Sequence, residues 1–277
     1  MSNINLVSFI ITTKNEEQII KRLLDSLLSQ TYKQYEIILV DNNSTDDTVN
    51  IAKNYPVKIY TYGPERSAQR NLGAKKAKGD YLFFLDADME LTPEVIESCV
   101  QKIKSTKNLG ALIVPEVSIG HNYWERVKAF ERSFYNEAGD ETTDAARFFT
   151  REAFEKAKGY DETITGPEDW DLPERVKKLG HQIDRVKEVI YHHERITSLP
   201  QLIRKKYYYG LGAHRYLRKH NLNAVSPKTI YFLRPVFYRQ WKKMVTHPIL
   251  SIGMFVMLFS ELAGGGLGYI FGKYKKS

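Results

Sequence analysis

Short apolar runs alternate with longer amphipathic stretches through the first half of this chain. A short run of Val, Ile, Leu and Phe is typical of a strand buried on both faces, and strands that alternate with helices form a mostly parallel sheet. The pattern predicts strands near residues 6–12, 36–40, 57–62, 81–85 and 111–115. It predicts helices near residues 17–29, 46–54, 67–77 and 93–105. We therefore expect an α/β fold.

Carboxylates follow two of these predicted strands. Asp86 and Asp88 come directly after the run 81–85, and Asp41 follows the run 36–40. Open α/β sheets bind their ligands beyond the carboxyl ends of the strands, so these side chains are expected at one pocket. The pair Asp86 and Asp88 supplies the oxygen ligands that Mg²⁺ or Mn²⁺ needs to meet a diphosphate. Two carboxylates at this spacing are also common in a solvated turn.

Five motifs occur in the order found in one known enzyme family. Together they resemble the inverting nucleotide-sugar glycosyltransferases of family 2, which have the GT-A fold, a Rossmann-like and mostly parallel sheet with flanking helices. The resemblance covers about the first 195 residues. The motifs are Ile-Ile-Thr-Thr-Lys-Asn-Glu-Glu at 10–17, Val-Asp-Asn-Asn-Ser-Thr-Asp-Asp-Thr at 40–48, Arg-Asn-Leu-Gly at 70–73, Asp-Ala-Asp at 86–88 and Gly-Pro-Glu-Asp-Trp at 166–170.

The resemblance implies a donor site for a nucleotide sugar. Asp41 is expected to contact the nucleoside, Thr13 and Glu16 to line the same pocket, and Arg70 to pair with the donor phosphate or base, with Asp86 beside the diphosphate. The residues around Asp41 also fit a tight turn and a helix start, where acidic side chains complement the helix dipole. Glu16 could equally be such a dipole partner, and Arg70 could make a surface salt bridge.

Inverting transfer needs a cation on the leaving diphosphate, an acceptor hydroxyl in line with the anomeric carbon, and one base. A glycosidase instead usually places two carboxyl groups across the scissile bond. Asp169 is the candidate base, because the family uses the second carboxylate of the Gly-Pro-Glu-Asp-Trp motif in this role. The resemblance also implies a supporting role for Glu168 in acceptor or donor binding, and we assign it to the acceptor. Trp170 could stack on a sugar ring of the acceptor or pack in the core. Without the resemblance, the carboxylates could simply decorate a helix N-terminus.

A predicted strand, 189–191, ends in two histidines. Imidazole can complete a metal shell begun by carboxylates, and some family members use a histidine in this region, so His192 is a candidate third ligand beside Asp86 and Asp88. Side chains alternate along a strand, so at most one of His192 and His193 should face the site.

The charge is unevenly distributed along the 277 residues. Residues 1–200 carry 27 Lys and Arg against 32 Asp and Glu, whereas residues 201–277 carry 14 against 1. The resemblance implies a catalytic domain at 1–197, and the charge asymmetry sets it apart from a basic tail, 198–277, which is expected to meet a polyanion such as an anionic membrane surface or a nucleic acid. Within the domain, about 1–115 should bind the nucleotide sugar and 116–197 should form the acceptor side. One cysteine, Cys99, excludes a disulfide framework and a cysteine-ligated zinc site.

The tail ends in an apolar stretch, 248–271, whose only charged residue is Glu261. It is long enough to span a bilayer, but Glu261 and the triple glycine 264–266 interrupt it, so we expect an interfacial or re-entrant pair of short helices. Packing against the catalytic domain is the alternative. Nucleic-acid binding would use the basic part of the tail but would leave the apolar stretch unexplained.

These patterns lead to one functional expectation with two alternatives. The expectation is a metal-dependent inverting glycosyltransferase with Mn²⁺ or Mg²⁺, which moves a sugar from a nucleotide-diphosphate donor to a lipid-linked or membrane-proximal saccharide. No basic segment followed by an apolar run opens the chain, so we expect it on the cytoplasmic face of the cell membrane, peripheral or monotopic, at an anionic lipid surface. One alternative is a polyprenyl-phosphate sugar synthase. The other is a non-catalytic protein that docks on membrane or nucleic acid. The presence of Asp86, Asp88 and Asp169 together argues against this second alternative.

Overall fold

The computed structural model describes residues 5–136, 139, 145–226 and 229–274. The chain forms two compact units that are interleaved in sequence. We call them the sheet unit, which comprises Met1–Glu116, Ala145–Glu162 and Glu168–His192, and the helical unit, which comprises Val117–Asp144, Thr163–Pro167 and His193–Ser277. The functional domains at 1–197 and 198–277 stay a prediction.

The described residues form strands and helices in the order that the apolar pattern predicts for the first half. The strands are β1 (Val7–Thr13), β2 (Tyr35–Asp41), β3 (Val57–Thr61), β4 (Tyr81–Asp86), β5 (Met89–Leu91), β6 (Leu109–Ile113), β7 (Glu116–Ile119), β8 (Phe148–Thr150), β9 (Gln182–Arg185) and β10 (Ile190–His193). The helices are α1 (Ile20–Leu28), α2 (Thr48–Ala52), α3 (Arg66–Lys76), α4 (Val95–Ser105), α5 (Tyr123–Arg132), α6 (Arg151–Lys156), α7 (Glu168–Lys178), α8 (Leu199–Lys219), α9 (Pro235–Arg239), α10 (Trp241–Thr246) and α11 (Pro248–Tyr274), with a 3₁₀ helix at Tyr231–Leu233.

The main sheet has the strand order β3-β2-β1-β4-β8-β6-β9. Strands β3, β2, β1 and β4 are parallel, β6 and β9 are parallel, and β8 is antiparallel to its two neighbours. Every residue of β1 is buried, as expected for a central strand with both faces covered. The predicted mostly parallel α/β sheet is confirmed.

The register of β1 brings the predicted site residues to one edge of the sheet. Thr13 lies opposite Asp41 on β2, and Thr12 lies opposite Asp86 on β4. Because the strands are parallel, their carboxyl ends meet at this edge. A smaller sheet has the order β5-β10-β7, and His192 on β10 lies opposite Met89 on β5.

Helix α11 is one continuous helix, so the expected pair of short helices is wrong. Of the three glycines that suggested a break, Gly264 lies against the backbone of α8 at Ile203, and Gly268 and Gly272 continue this close approach. A Cβ atom added at Gly268 would lie 2.1 Å from the carbonyl oxygen of Tyr207, and one added at Gly272 would lie 2.1 Å from that of Leu211. Small residues at every fourth position let two helix backbones touch, and this packing outweighs the low helix propensity of glycine.

The one charged side chain in the apolar stretch is compensated within the helical unit. Glu261 accepts a hydrogen bond from Lys128 of α5 at 3.1 Å, and its other oxygen lies 3.4 Å from the ammonium group of Lys206 on α8. Lys128 also pairs with Glu131 at 2.9 Å. Because buried charges are tolerated when they are paired, this cluster lets Glu261 lie on the packed face of α11.

The close approach of α8 and α11 yields a prediction. Gly268→Ala should destabilise the protein by about 1–3 kcal/mol, because the added Cβ must push the two backbones apart. Gly266→Ala is the matched control, since nothing lies within 4 Å of the position a Cβ would take there. The control should leave stability unchanged or raise it by up to about 1 kcal/mol through better helix propensity. Urea unfolding midpoints measure both, and equal midpoints for the two variants would contradict the packing.

Candidate active site

Thr13 and Asp41 form a buried pair at the ends of β1 and β2. The Thr13 hydroxyl donates to Asp41 Oδ1 at 2.9 Å, and the backbone N–H of Ser44 donates to Asp41 Oδ2 at 2.7 Å. Glu16 follows in the next turn, where its backbone N–H donates to the Thr48 hydroxyl at 2.6 Å. The sheet therefore brings these three residues, which were predicted to bind the sugar donor, to one edge. Asp41 also stabilises the tight turn that the sequence around it predicts, because it accepts the hydrogen bond from Ser44.

Arg70 joins two more of the predicted residues through one guanidinium group. Its Nη1 donates to Asp169 Oδ1 at 2.6 Å, and its Nη2 donates to Asp86 Oδ1 at 2.9 Å. The Arg70 side chain is fully buried, and its guanidinium carbon lies 5.0 Å from the centre of the Tyr160 ring. Arg70 is thus an internal link between the end of β4 and the start of α7, where the sequence left a surface salt bridge open as an alternative.

The position of α3 explains how Arg70 reaches these partners. A Cβ atom added at Gly73, one turn further along α3, would lie 2.4 Å from a methyl carbon of Ile10 on β1. The glycine lets α3 lie directly on the sheet. Arg70 is therefore held over the carboxyl ends of the strands.

Asp86 lies between two arginines. Besides the bond from Arg70, its Oδ2 lies 3.5 Å from Arg147 Nη1, and Arg147 Nε donates to Glu116 at 2.7 Å. Burial by itself raises the pKa of Asp86, but the positive charges of Arg70 and Arg147 outweigh burial and hold the pKa well below its usual value. Asp86 is therefore a carboxylate throughout the neutral and mildly acidic range.

Asp88 and His192 come together on the β5–β10 side of the site. His192 Nε2 lies 3.4 Å from Asp88 Oδ2, and His192 Nδ1 lies 3.0 Å from Glu116 Oε2. The residue after Asp88 pairs with His192 across the two strands, which explains the contact. Within the described part of the chain, no three His, Cys, Asp or Glu side chains form a ready metal cluster. An oxygen donor and a nitrogen donor this close could still serve as two ligands of one divalent cation such as Mn²⁺ or Mg²⁺.

Glu168 and Trp170 flank the candidate base at the start of α7. The Glu168 side chain is buried and accepts a hydrogen bond from Arg66 at 2.8 Å, and its Oε2 has no hydrogen-bond partner among the described residues. Burial raises the pKa of Glu168, although the charge of Arg66 opposes the shift. The Asp169 side chain keeps 22 % of its surface exposed, and Trp170 is half-buried. The two adjacent carboxyl groups therefore differ in their exposure to solvent.

Sequence reasoning did not find four residues of this site. Arg66 lies one helical turn before Arg70, and the spacing of four residues that puts both on one helix face was a usable signal. Arg147, Glu116 and Tyr160 carry no comparable signal. Arg147 directly precedes β8, Glu116 is the first residue of β7, and Tyr160 lies in the loop after α6, so only the folded chain brings them to the site.

Comparison with known proteins gives both a family and a fold. The model of the family described as glycosyl transferase family 2 matches residues 8–158. The chondroitin synthase of Escherichia coli is 23 % identical over 254 residues, which are 83 % of this chain and 37 % of that protein. The matched part of the chain spans less than half the length of the curated relatives that it resembles.

Two solved structures have the same fold at low sequence identity. The mannosyltransferase PcManGT from Pyrobaculum calidifontis, in complex with GDP-Man and Mn²⁺, is 17 % identical, with a TM-score of 0.57 over 97 % of this chain and 81 % of that one. TarS from S. aureus, in complex with UDP-GlcNAc, is 15 % identical, with a TM-score of 0.56 over 96 % of this chain and 90 % of that one. This chain therefore belongs to glycosyltransferase family 2, with a GT-A-type α/β fold.

Proposed function

We propose that this protein transfers a sugar, with inversion, from a nucleotide-diphosphate donor to a lipid-linked or membrane-proximal saccharide, with Mn²⁺ or Mg²⁺ as cofactor. The observation that carries the proposal is the double ion pair of Arg70 with Asp86 and Asp169. Through Arg70, Asp86 lies close to Asp169. Asp86 is the residue expected beside the diphosphate, and Asp169 is the residue expected to act as the base. Family membership supports glycosyl transfer, and the complexes of the similar structures with UDP-GlcNAc and GDP-Man support a nucleotide-sugar donor.

The donor nucleoside would lie against the ends of β1 and β2. Bonds from Thr13 and Ser44 hold the Asp41 carboxylate in one orientation before a ligand arrives. A carboxylate fixed in this way recognises ribose or base hydroxyl and amine groups without a further loss of side-chain entropy on binding. Glu16 lines the same edge.

Asp88 and His192 would hold the cation. Glu116 contacts the other ring nitrogen of His192 and so fixes the orientation of the imidazole, the arrangement common in metal sites. When bound, the cation neutralises the charge that develops on the leaving diphosphate. Asp86 stays a predicted third ligand, and both its oxygens face arginines. Those arginines add positive charge beside the diphosphate.

Asp169 would take the proton from the acceptor hydroxyl as the hydroxyl oxygen attacks the anomeric carbon and the nucleoside diphosphate leaves. Arg70 orients the Asp169 carboxylate through a 2.6 Å bond, and the exposed part of that side chain leaves room for an acceptor. Glu168 and Trp170, its neighbours on α7, would bind the acceptor saccharide. The sugar ring could stack on the half-buried indole of Trp170.

The base assignment can be tested with a matched pair of variants. Asp169→Asn should lower the rate of sugar transfer by roughly 10²-fold or more, because the proton acceptor is lost. Donor affinity should stay within a few-fold, because the asparagine oxygen can still accept the hydrogen bond from Arg70 and Asp86 still pairs with that arginine. Glu168→Gln retains an oxygen that can accept from Arg66 but loses the charge of a proposed acceptor-binding residue. It should weaken acceptor binding, while its turnover falls far less than that of Asp169→Asn. Transfer rates and donor calorimetry measure both effects. A greater loss of turnover in Glu168→Gln than in Asp169→Asn would move the base to Glu168.

The cation site makes a separate prediction. Asp88→Asn and His192→Ala should each weaken the Mn²⁺-dependent part of UDP or GDP binding by at least about tenfold, because each removes a ligand. Asp86→Asn should act in the same direction, since it removes a predicted ligand and leaves the positive charges of Arg70 and Arg147 less compensated beside the cation. His121→Ala, in the helical unit, is the control. Calorimetry with and without Mn²⁺ decides, and unchanged nucleotide affinity in Asp88→Asn would contradict the site.

A further inference from the structure

Helix α11 has two faces of different character. The packed face carries Glu261 and the glycines that touch α8. The other face is exposed along the whole 27-residue helix, and its side chains are apolar apart from Lys273 in the last turn. The exposed large side chains of this face are Ile249, Ile252, Phe255, Val256, Phe259, Leu267, Ile270, Phe271 and Tyr274.

The size of this face exceeds what a water-soluble surface usually shows. Ile249, Phe259 and Ile252 are 71 %, 69 % and 67 % exposed, and the stripe extends over about 40 Å at 1.5 Å per residue. Contiguous exposed apolar surface of this extent marks an interaction site. The length and composition of α11 would also suit a membrane span, and α11 is the one helix among the described residues for which this holds.

The packing of α11 argues against a transmembrane orientation. Its second half touches the backbone of α8 at Tyr207 and Leu211, and its first half lies on α5, where a Cβ atom at Gly253 would be 2.4 Å from the Tyr123 hydroxyl. Helix α8 carries the exposed basic side chains Arg204 and Lys205. If α11 crossed the hydrocarbon core, these attached helices would have to enter it with their charges, which is costly.

The basic side chains around α11 indicate what kind of partner binds its exposed face. Between residue 201 and the end of the chain the one acidic residue is Glu261, and it is buried. The exposed basic residues Arg239 and Lys242 precede α11, and Lys273 lies in its last turn. A second copy of the chain docked on this face would bring like charges together, whereas anionic lipid phosphates would neutralise them. Trp241, 55 % exposed, adds an aromatic side chain of the type that favours the membrane interface.

We propose that α11 lies parallel to the plane of an anionic bilayer and buries its exposed apolar face among the lipids, while its glycine and Glu261 face stays packed on α8 and α5. The helix is then an in-plane anchor and not a span. This inference builds on the membrane-proximal acceptor of the proposed function. Binding to vesicles is measured without sugar transfer, so its failure would leave metal-dependent transfer to a soluble acceptor untouched.

The first test compares two triple variants of the full chain. Ile252→Ser, Phe259→Ser and Leu267→Ser together remove part of the exposed face, whereas Leu28→Ser, Leu179→Ser and Val225→Ser together remove exposed apolar side chains elsewhere. Both sets are exposed, so thermal melting should resemble that of the wild type. The probe is phosphatidylglycerol–phosphatidylethanolamine vesicles at about 0.1 M and about 1 M NaCl, where charge attraction is weakly and strongly screened.

The wild type and the control should co-sediment with vesicles at both salt concentrations, because apolar burial is insensitive to ionic strength. The α11 variant should bind at least about tenfold less at high salt. Equal binding of the two variants would overturn the proposal. So would displacement of the wild type from vesicles by duplex DNA, or a lipid-free dimer that only the α11 variant loses.

A second measurement separates an in-plane helix from a span. Ile252→Cys, Phe259→Cys and Ile270→Cys, each in a Cys99→Ser background, are labelled with a fluorophore and quenched by nitroxides at shallow or deep acyl positions. An in-plane helix should give the strongest quenching by the shallow nitroxide at all three positions. A label at residue 259 that is quenched mainly by the deep nitroxide, with the other two quenched by the shallow one, would establish a span and overturn the proposal.

Discussion

A guanidinium group removed from water must be surrounded by negative charge, and Arg70 imposes this requirement on the sheet unit. Its side chain is fully buried, so the cost of desolvation has to be offset by Asp86 and Asp169. These carboxylates come from the end of β4 and the start of α7. One buried charge therefore fixes the distance between Asp86, which we expect beside the diphosphate, and Asp169, the proposed base.

The same rule operates a second time in the helical unit, with the signs reversed. There the buried charge is the carboxylate of Glu261, and the ammonium groups of Lys128 and Lys206 compensate it. The glycines of α11 set how close α8 can come, and the ion pairs set which face of the helix turns inward. The exposed face then carries no acidic side chain, and its one charged residue is Lys273 in the last turn. The proposed membrane contact depends on this division.

Neighbouring carboxyl groups differ in this protein because burial and pairing act in opposite directions. Asp86 faces Arg70 and Arg147, which hold its pKa well below the usual value, whereas burial dominates at Glu168 and raises its pKa despite Arg66. Near neutral pH the Asp86 side chain therefore stays a carboxylate between its two arginines. On the acceptor side, Asp169 is partly exposed and its neighbour Glu168 is enclosed.

The sequence by itself determined the parallel sheet and the place of the candidate residues at its edge. Apolar runs define buried strands, and parallel strands put whatever follows them at one end. Only the tertiary structure decided which charges pair, because Arg70 and Asp169 lie 99 residues apart and no local pattern links them. It also decided that α11 is continuous. The glycines that weaken an isolated helix are the positions at which α8 makes its closest approach, and that contact exists only in the folded chain.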